Sequence, residues 1–145
     1  MAAKSVPEGH NSVSPYLIVP GAAQLIEFLK SAFRATELMR SAMPDGSIMH
    51  AEVRIGDSVV MIADANEQVP ATQANVHVYV PDVDDAYGRA VGAGATSVRE
   101  PADQFYGDRS AGVKHAGTQW WIATHVEDVS DEEIARRMKA ARPDA

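Results

Sequence analysis

The chain contains two copies of one unit, and this internal repeat restricts the folds that it can adopt. Residues 16–38 read YLIVPGAAQLIEFLKSAFRATEL, and residues 77–98 read HVYVPDVDDAYGRAVGAGATSV. Each copy has a short apolar strand, a Val-Pro pair, a helical stretch with one apolar stripe, and an Ala-Thr pair that opens another strand. The segments GDSVVMIAD and GTQWWIATH, which end the copies, also correspond. The sequence predicts two βαβββ modules, about 14–65 and 74–125, joined by NEQVPATQ.

The length of 145 residues fits one α+β domain, residues 1–145, that contains both modules. After the second module, Ser130 is followed three residues later by Glu133, a capping-box pattern that predicts a C-terminal helix from about residue 130.

Composition excludes several classes of function. The chain has no cysteine, so it has no disulfide framework and no thiol nucleophile or thiolate metal site. Its net charge of −7 argues against a nucleic-acid surface. No apolar run approaches the roughly 18 residues of a membrane span. We therefore expect a soluble cytoplasmic protein that binds neither nucleic acid nor membrane.

Alternation in the predicted strands separates the side chains that face the helix from those on the opposite side. Trp120 and Trp121 are neighbours in one strand, so they point to opposite faces. Trp120 alternates with Ile122 and is predicted to lie in the core beneath the helix. In IMHAEVRIG (48–56), Met49 begins the predicted dry face and the histidine, glutamate and arginine form the polar face.

The motifs, taken in order, resemble the vicinal oxygen chelate superfamily, the glyoxalase I and bleomycin-resistance fold. The segments PYLIVPGAAQLIEFLKSAF, PDGSIMHAEVRIGDSVVMIAD, YVPDVD, GATSVREPADQFYGDR and WWIATHVEDVS resemble its PhnB-like branch, over about residues 13–137. The resemblance implies that the modules form a pair of half-barrels. Their concave faces would line a ligand cavity, and their helices would cover the convex faces.

The resemblance also implies four metal-ligand positions, which normally hold His or Gln, Glu, His and Glu. Counted from the Val-Pro and Gly anchors, these positions are Ser14, Met61, Asn75 and Trp121. Hard divalent cations prefer carboxylate and imidazole ligands, which none of the four supplies. We therefore expect no cofactor and no bound divalent metal.

The candidate ligand-binding residues are those that the alternation and the resemblance assign to the cavity, together with the arginine of YGDR (106–109). They are Tyr16, His50, Glu52, Arg54, Met61, His77, Tyr79, Arg109 and Trp121. Tyr16 and Trp121 could stack on a planar ligand or simply fill the floor of the half-barrel. Arg109 could bind an anion or form a local ion pair. With His77, the side chains of His50, Glu52 and Arg54 could form a displaced metal site or an acid–base pair, or they could be part of a polar strand face. The remaining histidines are predicted to be surface or structural residues: His10, His115 and His125.

Three classes of function stay open, and the sequence does not decide whether the chain is an enzyme. The favoured hypothesis is metal-independent binding of a small aromatic or antibiotic-like molecule, as in the bleomycin-resistance members of the superfamily. The alternative is a glyoxalase- or dioxygenase-like enzyme that uses unusual ligands or acid–base residues. A third possibility is a protein with a filled cavity that acts through association alone. We also expect a homodimer, with Ile134 and Met138 of the C-terminal helix in contact with the partner.

Overall fold

The computed structural model describes residues 2–141, which form two modules and a terminal helix. The first module comprises β1 (Tyr16–Val19), α1 (Ala22–Phe33), β2 (Thr36–Ala42), β3 (Ile48–Ile55) and β4 (Ser58–Asp64). The second comprises β5 (Ala74–Tyr79), α2 (Val83–Gly92), β6 (Thr96–Asp103), β7 (Asp108–His115) and β8 (Thr118–His125). Helix α3 (Asp131–Ala141) follows. The predicted α+β fold with paired βαβββ modules and a C-terminal helix is confirmed.

Each module makes one four-stranded mixed sheet, and the two sheets share one topology. Their strand orders are β1-β4-β3-β2 and β5-β8-β7-β6. The first strand of each module pairs in parallel with the last, so that Tyr16 lies beside Met61 and His77 lies beside Trp121. One face of each sheet packs against the helices. We call the other face the open face: the first open face belongs to the first module, and the second to the second.

The core lies between the helices and the helix-facing sides of both sheets. Trp120 of β8 is 0% exposed, and its ring centroid lies 5.5 Å from that of Phe33 and 6.4 Å from that of Phe28, both on α1. The largest side chain in the core of the second module therefore packs against the helix of the first. This contact confirms that Trp120 is a core residue and joins the modules into one apolar cluster.

Strand β3 departs from the predicted alternation at its start. Ile48 is 1% exposed, whereas Met49 is 59% exposed, so the prediction that Met49 lies on the dry face was wrong. The pairing of β2 with β3 shifts register at this end of the strand, and such an irregularity changes which side chains face the core. From Ala51 onward, the apolar positions of β3 are buried as predicted.

Helix α3 is anchored to the second module through one arginine. At its start, the Ser130 hydroxyl accepts a hydrogen bond from the Glu133 backbone N–H at 3.2 Å, which is half of the predicted capping box. The Glu133 carboxylate binds Arg136 and Arg137 instead of the Ser130 backbone, and these cations lower its pKa to about 2. Arg137 also donates to the carbonyl of Phe105 at 3.0 Å. Within residues 2–141, no helix is long and apolar enough to cross a membrane.

Replacement of Trp120 by alanine should lower the free energy of unfolding by about 3–5 kcal/mol, because a fully buried aromatic side chain would leave a cavity. Urea unfolding followed by circular dichroism measures the change. The neighbouring Trp121→Ala variant is the matched control and should lose distinctly less stability, since that ring is partly exposed. Equal losses would mean that Trp121 is a core residue as well.

Candidate functional site

Glu52 is the centre of a chain of hydrogen bonds on the first open face. Its Oε2 lies 2.9 Å from Nε2 of His50, and its Oε1 lies 2.8 Å from Nε2 of His10. The other ring nitrogen of His50, Nδ1, lies 3.2 Å from the Tyr16 hydroxyl. The structure thus brings together three predicted candidates, Tyr16, His50 and Glu52. It adds His10, which the sequence pattern indicated only as a surface or structural residue.

The hydrogen-bond partners of Glu52, His50 and His10 indicate which of these side chains donate and which accept. Hydrogen bonds from His50 and then from His10 hold the pKa of the Glu52 carboxyl below its usual value, so the carboxylate only accepts. His50 therefore donates from Nε2, and its Nδ1 is free to accept from the Tyr16 hydroxyl. His10 faces Glu52 with one nitrogen and the Glu8 carbonyl, at 3.3 Å, with the other. Both partners are acceptors and favour the protonated ring, so the pKa of His10 is raised, chiefly by the hydrogen bond to Glu52.

The N-terminal segment, residues 2–13, lies over part of the first open face. Besides the contact of His10 with Glu52, Gly9 approaches Arg54 so closely that an added Cβ would lie 3.2 Å from Nη2 of that arginine. Gly9 also has φ +80, a conformation that favours glycine. A pocket of about 360 Å³ lies under this segment and is lined by Glu52 and Met61. The segment therefore covers the predicted candidates Glu52, Arg54 and Met61.

A second pocket, of about 370 Å³, lies where the two modules meet. Val59 of β4 lines it from the first module, and His77 and Tyr79 of β5 line it from the second. The Tyr79 side chain is 64% exposed, and its ring centroid lies 4.6 Å from that of His77. These two candidates therefore present aromatic surface towards the first module.

The ring of Trp121 is held in one orientation on the second open face. Its Nε1 donates to the side-chain oxygen of Asn75 at 2.9 Å. The ring lies over Gly112 of β7, where an added Cβ would be 2.7 Å from the ring carbon Cζ3. The guanidinium carbon of Arg99 lies 5.4 Å from the ring centroid. The predicted side for Trp121 is confirmed, and Arg99 and Gly112 are neighbours that the sequence analysis missed.

Asp108 fixes the other end of the second open face. Its carboxylate is buried, at 4% exposed, and accepts from the Tyr79 hydroxyl at 2.9 Å and from Nδ1 of His125 at 2.8 Å. The second ring nitrogen of His125 donates to Asp128 at 2.8 Å, so the pKa of His125 is raised by Asp128 and then by Asp108. The pKa of Tyr79 is raised because its neutral hydroxyl donates a hydrogen bond to the Asp108 carboxylate. The hydroxyl of Tyr79 therefore has a structural partner, while its ring stays exposed.

Arg109 lies on the helix-facing side of its sheet, so the prediction that it faces the cavity was wrong. It stands beside Thr124, whose hydroxyl accepts from the first backbone N–H of α2. Its guanidinium binds the Asp84 carboxylate of α2 at 2.8 and 3.0 Å and that of Asp103 at 3.2 Å. Of the two alternatives that the sequence allowed for Arg109, the structure therefore shows the local ion pair.

The positions that the resemblance identifies for a metal do not form a suitable set of ligands. The side-chain oxygen of Asn75 already accepts from the indole of Trp121. Met61 offers a thioether, and Ser14 a neutral hydroxyl, neither of which suits a hard cation. Across residues 2–141, no three His, Cys, Asp or Glu side chains form a group that could hold a metal ion. The residues present therefore do not fit a divalent metal at these positions.

His115 is a packing residue. Its ring stacks on Phe28 with centroids 4.2 Å apart and planes at 10°. Burial lowers its pKa, which favours the neutral ring. This contact lies on the helix side, away from both open faces, and adds to the packing between the second module and α1.

Solved structures of other proteins identify the class of fold. The chain superposes on TioX from Micromonospora sp. ML1 with a TM-score of 0.64 and 25% identity, covering 79% of this chain and 100% of that one. For a glyoxalase/bleomycin resistance protein/dioxygenase from Nocardioides, the TM-score is 0.59 at 20% identity, and the match covers 90% of this chain and 91% of that one. For the fosfomycin resistance protein FosX from Mesorhizobium loti, it is 0.57 at 20% identity, with 79% and 91% covered. The fold is that of the glyoxalase/bleomycin resistance/dioxygenase superfamily.

Sequence comparison identifies the family more narrowly. No family model matches the chain. It is 36% identical over 144 residues to the uncharacterized protein Mb0911c of Mycobacterium bovis, covering 89% of this chain and 93% of that protein. It is also 36% identical to the uncharacterized protein Rv0887c of Mycobacterium tuberculosis, and this match covers 89% of this chain and 83% of that protein. The chain belongs to the family that these mycobacterial proteins represent.

The hydrogen bond between His10 and Glu52 should make the order of the N-terminal segment depend on pH. The pKa of Glu52 lies below its usual 4.5, so its contribution is present above that pH and is lost as acid protonates the carboxylate. The pKa of His10 lies above its usual 6.5, so its contribution is present below that pH and is lost as the pH rises through the raised value. The segment should therefore be most ordered in the mildly acidic range between the two.

Backbone ¹⁵N relaxation of residues 5–13 at about pH 5.5 and about pH 9 measures this loosening. His10→Gln should remove the difference between the two pH values, whereas His77→Gln, on the other open face, should leave it intact. A segment that loosens equally in the His10 variant would contradict the assignment.

Proposed function

We propose that this protein binds a planar small molecule against the second open face, without a metal. The observation that carries the proposal is the fixed ring of Trp121, at a position where the resemblance to the superfamily implies a metal carboxylate. Hydrogen bonding to Asn75 and contact with Gly112 hold the ring before any ligand arrives. A preorganised aromatic surface loses little conformational entropy on binding, and stacking adds about 0.5–1.5 kcal/mol beyond buried area.

The exposed rings of His77 and Tyr79 support the same proposal. They lie on β5, next to the strand that carries Trp121, and they line the pocket between the modules. A planar molecule on Trp121 would therefore have further aromatic contacts at its edge. Two proteins with this fold are named for resistance to bleomycin and to fosfomycin, which supports an antibiotic-like ligand. Membership of the PhnB-like branch stays a prediction from the sequence segments.

A second candidate function, proton transfer on the first open face, rests on the contact between Tyr16 and His50. A carboxylate behind an imidazole fixes its tautomer and leaves the other nitrogen as a base, which is the arrangement of many acid–base sites. Glu52 does this for His50, whose Nδ1 lies 3.2 Å from the Tyr16 hydroxyl. Tyr16 is 48% exposed and so is open to a substrate. In the second module, the Tyr79 hydroxyl meets a carboxylate and has no such base.

We further propose that the chain forms a homodimer and that α3 contributes contacts to the partner. Strands β2 and β6 end their sheets and leave backbone groups for another strand or surface to cover. On α3, Met138 is 46% exposed and lies one turn after Ile134. A homodimer would bury this apolar surface.

Sedimentation velocity at micromolar concentration should give twice the chain mass of 15.5 kDa. Met138→Glu should shift the distribution towards the monomer, because it places a charge in the proposed contact. Val91→Glu alters a residue of similar exposure, 41%, on α2 and is the matched control that should remain dimeric. A wild-type monomer at this concentration would refute the proposal.

Binding is tested with the neutral planar probe 2-naphthamide and ¹H–¹⁵N NMR of the two indole groups. The Trp121 indole resonance should shift on titration, while that of the buried Trp120 should not. The shift should be the same with EDTA and with added zinc, and Trp121→Ala should remove binding. A shift that requires the metal would overturn the metal-independent mechanism, and no shift at millimolar probe would overturn the proposed site.

A further inference from the structure

We propose that the planar ligand is an aromatic acid, whose carboxylate is bound by Arg99 while its ring lies against Trp121. This inference rests on the proposed function and adds the chemical class of the ligand. A ligand that only stacks on Trp121 needs no charge, whereas a ligand bound by Arg99 as well needs an anionic group. The observations that lead to it are the pairing of the arginines, the geometry of Arg99, and the charges on the second open face.

The arginines of this chain differ in whether they have a carboxylate partner. Six of the eight arginines within residues 2–141 lie within 4.0 Å of one: Arg34, Arg40, Arg89, Arg109, Arg136 and Arg137. In this range, the two that form no such pair are Arg54 and Arg99. Register places both on open faces, since Arg54 stands beside Val59 and Arg99 beside Gly112. In a protein with a net charge of −7, a cation left without an anion on a binding face is available for a ligand.

Arg99 is oriented without being neutralised. Its Nη2 donates to the hydroxyl of Ser110 at 2.9 Å, and Ser110 is buried, at 4% exposed. Its guanidinium also lies beside the Trp121 ring, 5.4 Å from the centroid. These contacts use one of the five N–H groups of the guanidinium and leave the others for an acceptor. A guanidinium held in this way matches a carboxylate through two parallel hydrogen bonds.

The absence of a side chain at Gly112 connects the cation to the ring. Arg99, Gly112 and Trp121 stand side by side on β6, β7 and β8. Because nothing projects from Gly112, the guanidinium and the indole are adjacent across the strand between them. A molecule with a carboxylate on a flat ring could therefore reach both groups at once.

The remaining charges on the second open face favour the same ligand. Lys114 stands beside Gln119 on this face, is exposed, and forms no ion pair within residues 2–141. The buried carboxylate of Asp108 lies at the other end of the face, where it is hydrogen-bonded to His125 and Tyr79. At the end of the face that holds Arg99, two cations therefore lie without a carboxylate partner among residues 2–141.

Arg54, the other unpaired arginine, is less accessible. Gly9 of the N-terminal segment lies against its guanidinium, with an added Cβ only 3.2 Å from Nη2. No aromatic ring stands next to it in the register, where its neighbours are Val59 and Thr36. The second open face is therefore where an anion and a ring can be bound together.

The test compares 2-naphthoate with its neutral isostere 2-naphthamide by NMR titration of the Trp121 indole. The carboxylate should bind at least about tenfold more tightly, as expected for charge-assisted hydrogen bonds. Arg99→Gln should remove this preference, so that 2-naphthoate binds no more tightly than 2-naphthamide. Arg109→Gln, an arginine on the opposite side of the same sheet, is the matched control and should keep the preference. Added salt should weaken naphthoate binding selectively.

The outcomes separate this inference from the proposed function. Equal affinity for both probes, with no effect of Arg99→Gln, would overturn the aromatic acid and leave the planar-ligand site standing. Loss of the preference in the Arg109 variant as well would show that net charge, and not Arg99, is responsible. If neither probe shifts the Trp121 resonance, the site and the aromatic acid both fail.

Discussion

The burial of Trp120 against Phe28 and Phe33 is the interaction on which the rest of the structure depends. It joins the second sheet to the helix of the first module, and the two modules share a core through it. In a strand, the side chain after a buried one points away from the core. The packing of Trp120 therefore determines that Trp121 faces outward. Two consecutive residues therefore link the core shared by the modules to the orientation of the candidate binding surface.

Much of this arrangement could be predicted from the sequence, because period-two alternation and a long repeat are local signals. The repeat gave the two modules, and alternation assigned Trp120 and Trp121 to opposite faces. The wrong predictions concern positions whose orientation depends on strand pairing and not on the local sequence pattern. Met49 is exposed because the strand pairing shifts beside it. Arg109 was assigned to the open face although it lies beside Thr124, under α2.

The members of the site that sequence reasoning missed depend on contacts between distant segments. His10 reaches Glu52 across 42 positions of the chain, and nothing in the N-terminal segment by itself indicates this contact. Arg99 and Gly112 join Trp121 only through the register of three strands. A signal did exist, since the spacing of 60 residues between the copies relates Gly112 to Glu52 and Trp121 to Met61. Knowledge of the sheet order is needed to use it.

The same topology thus supports two different surfaces. In the first module, Glu52 stands beside Met61 and organises histidines, whereas in the second Gly112 stands beside Trp121 and leaves room for the indole. Glycine at position 112 provides volume, not backbone freedom, because an added Cβ would meet the ring at 2.7 Å. The sizes of residues 112 and 121 should therefore be anticorrelated across the family. A relative with a branched residue at 112 should therefore lack an indole in this orientation, and the pair of positions predicts whether a homologue has this surface.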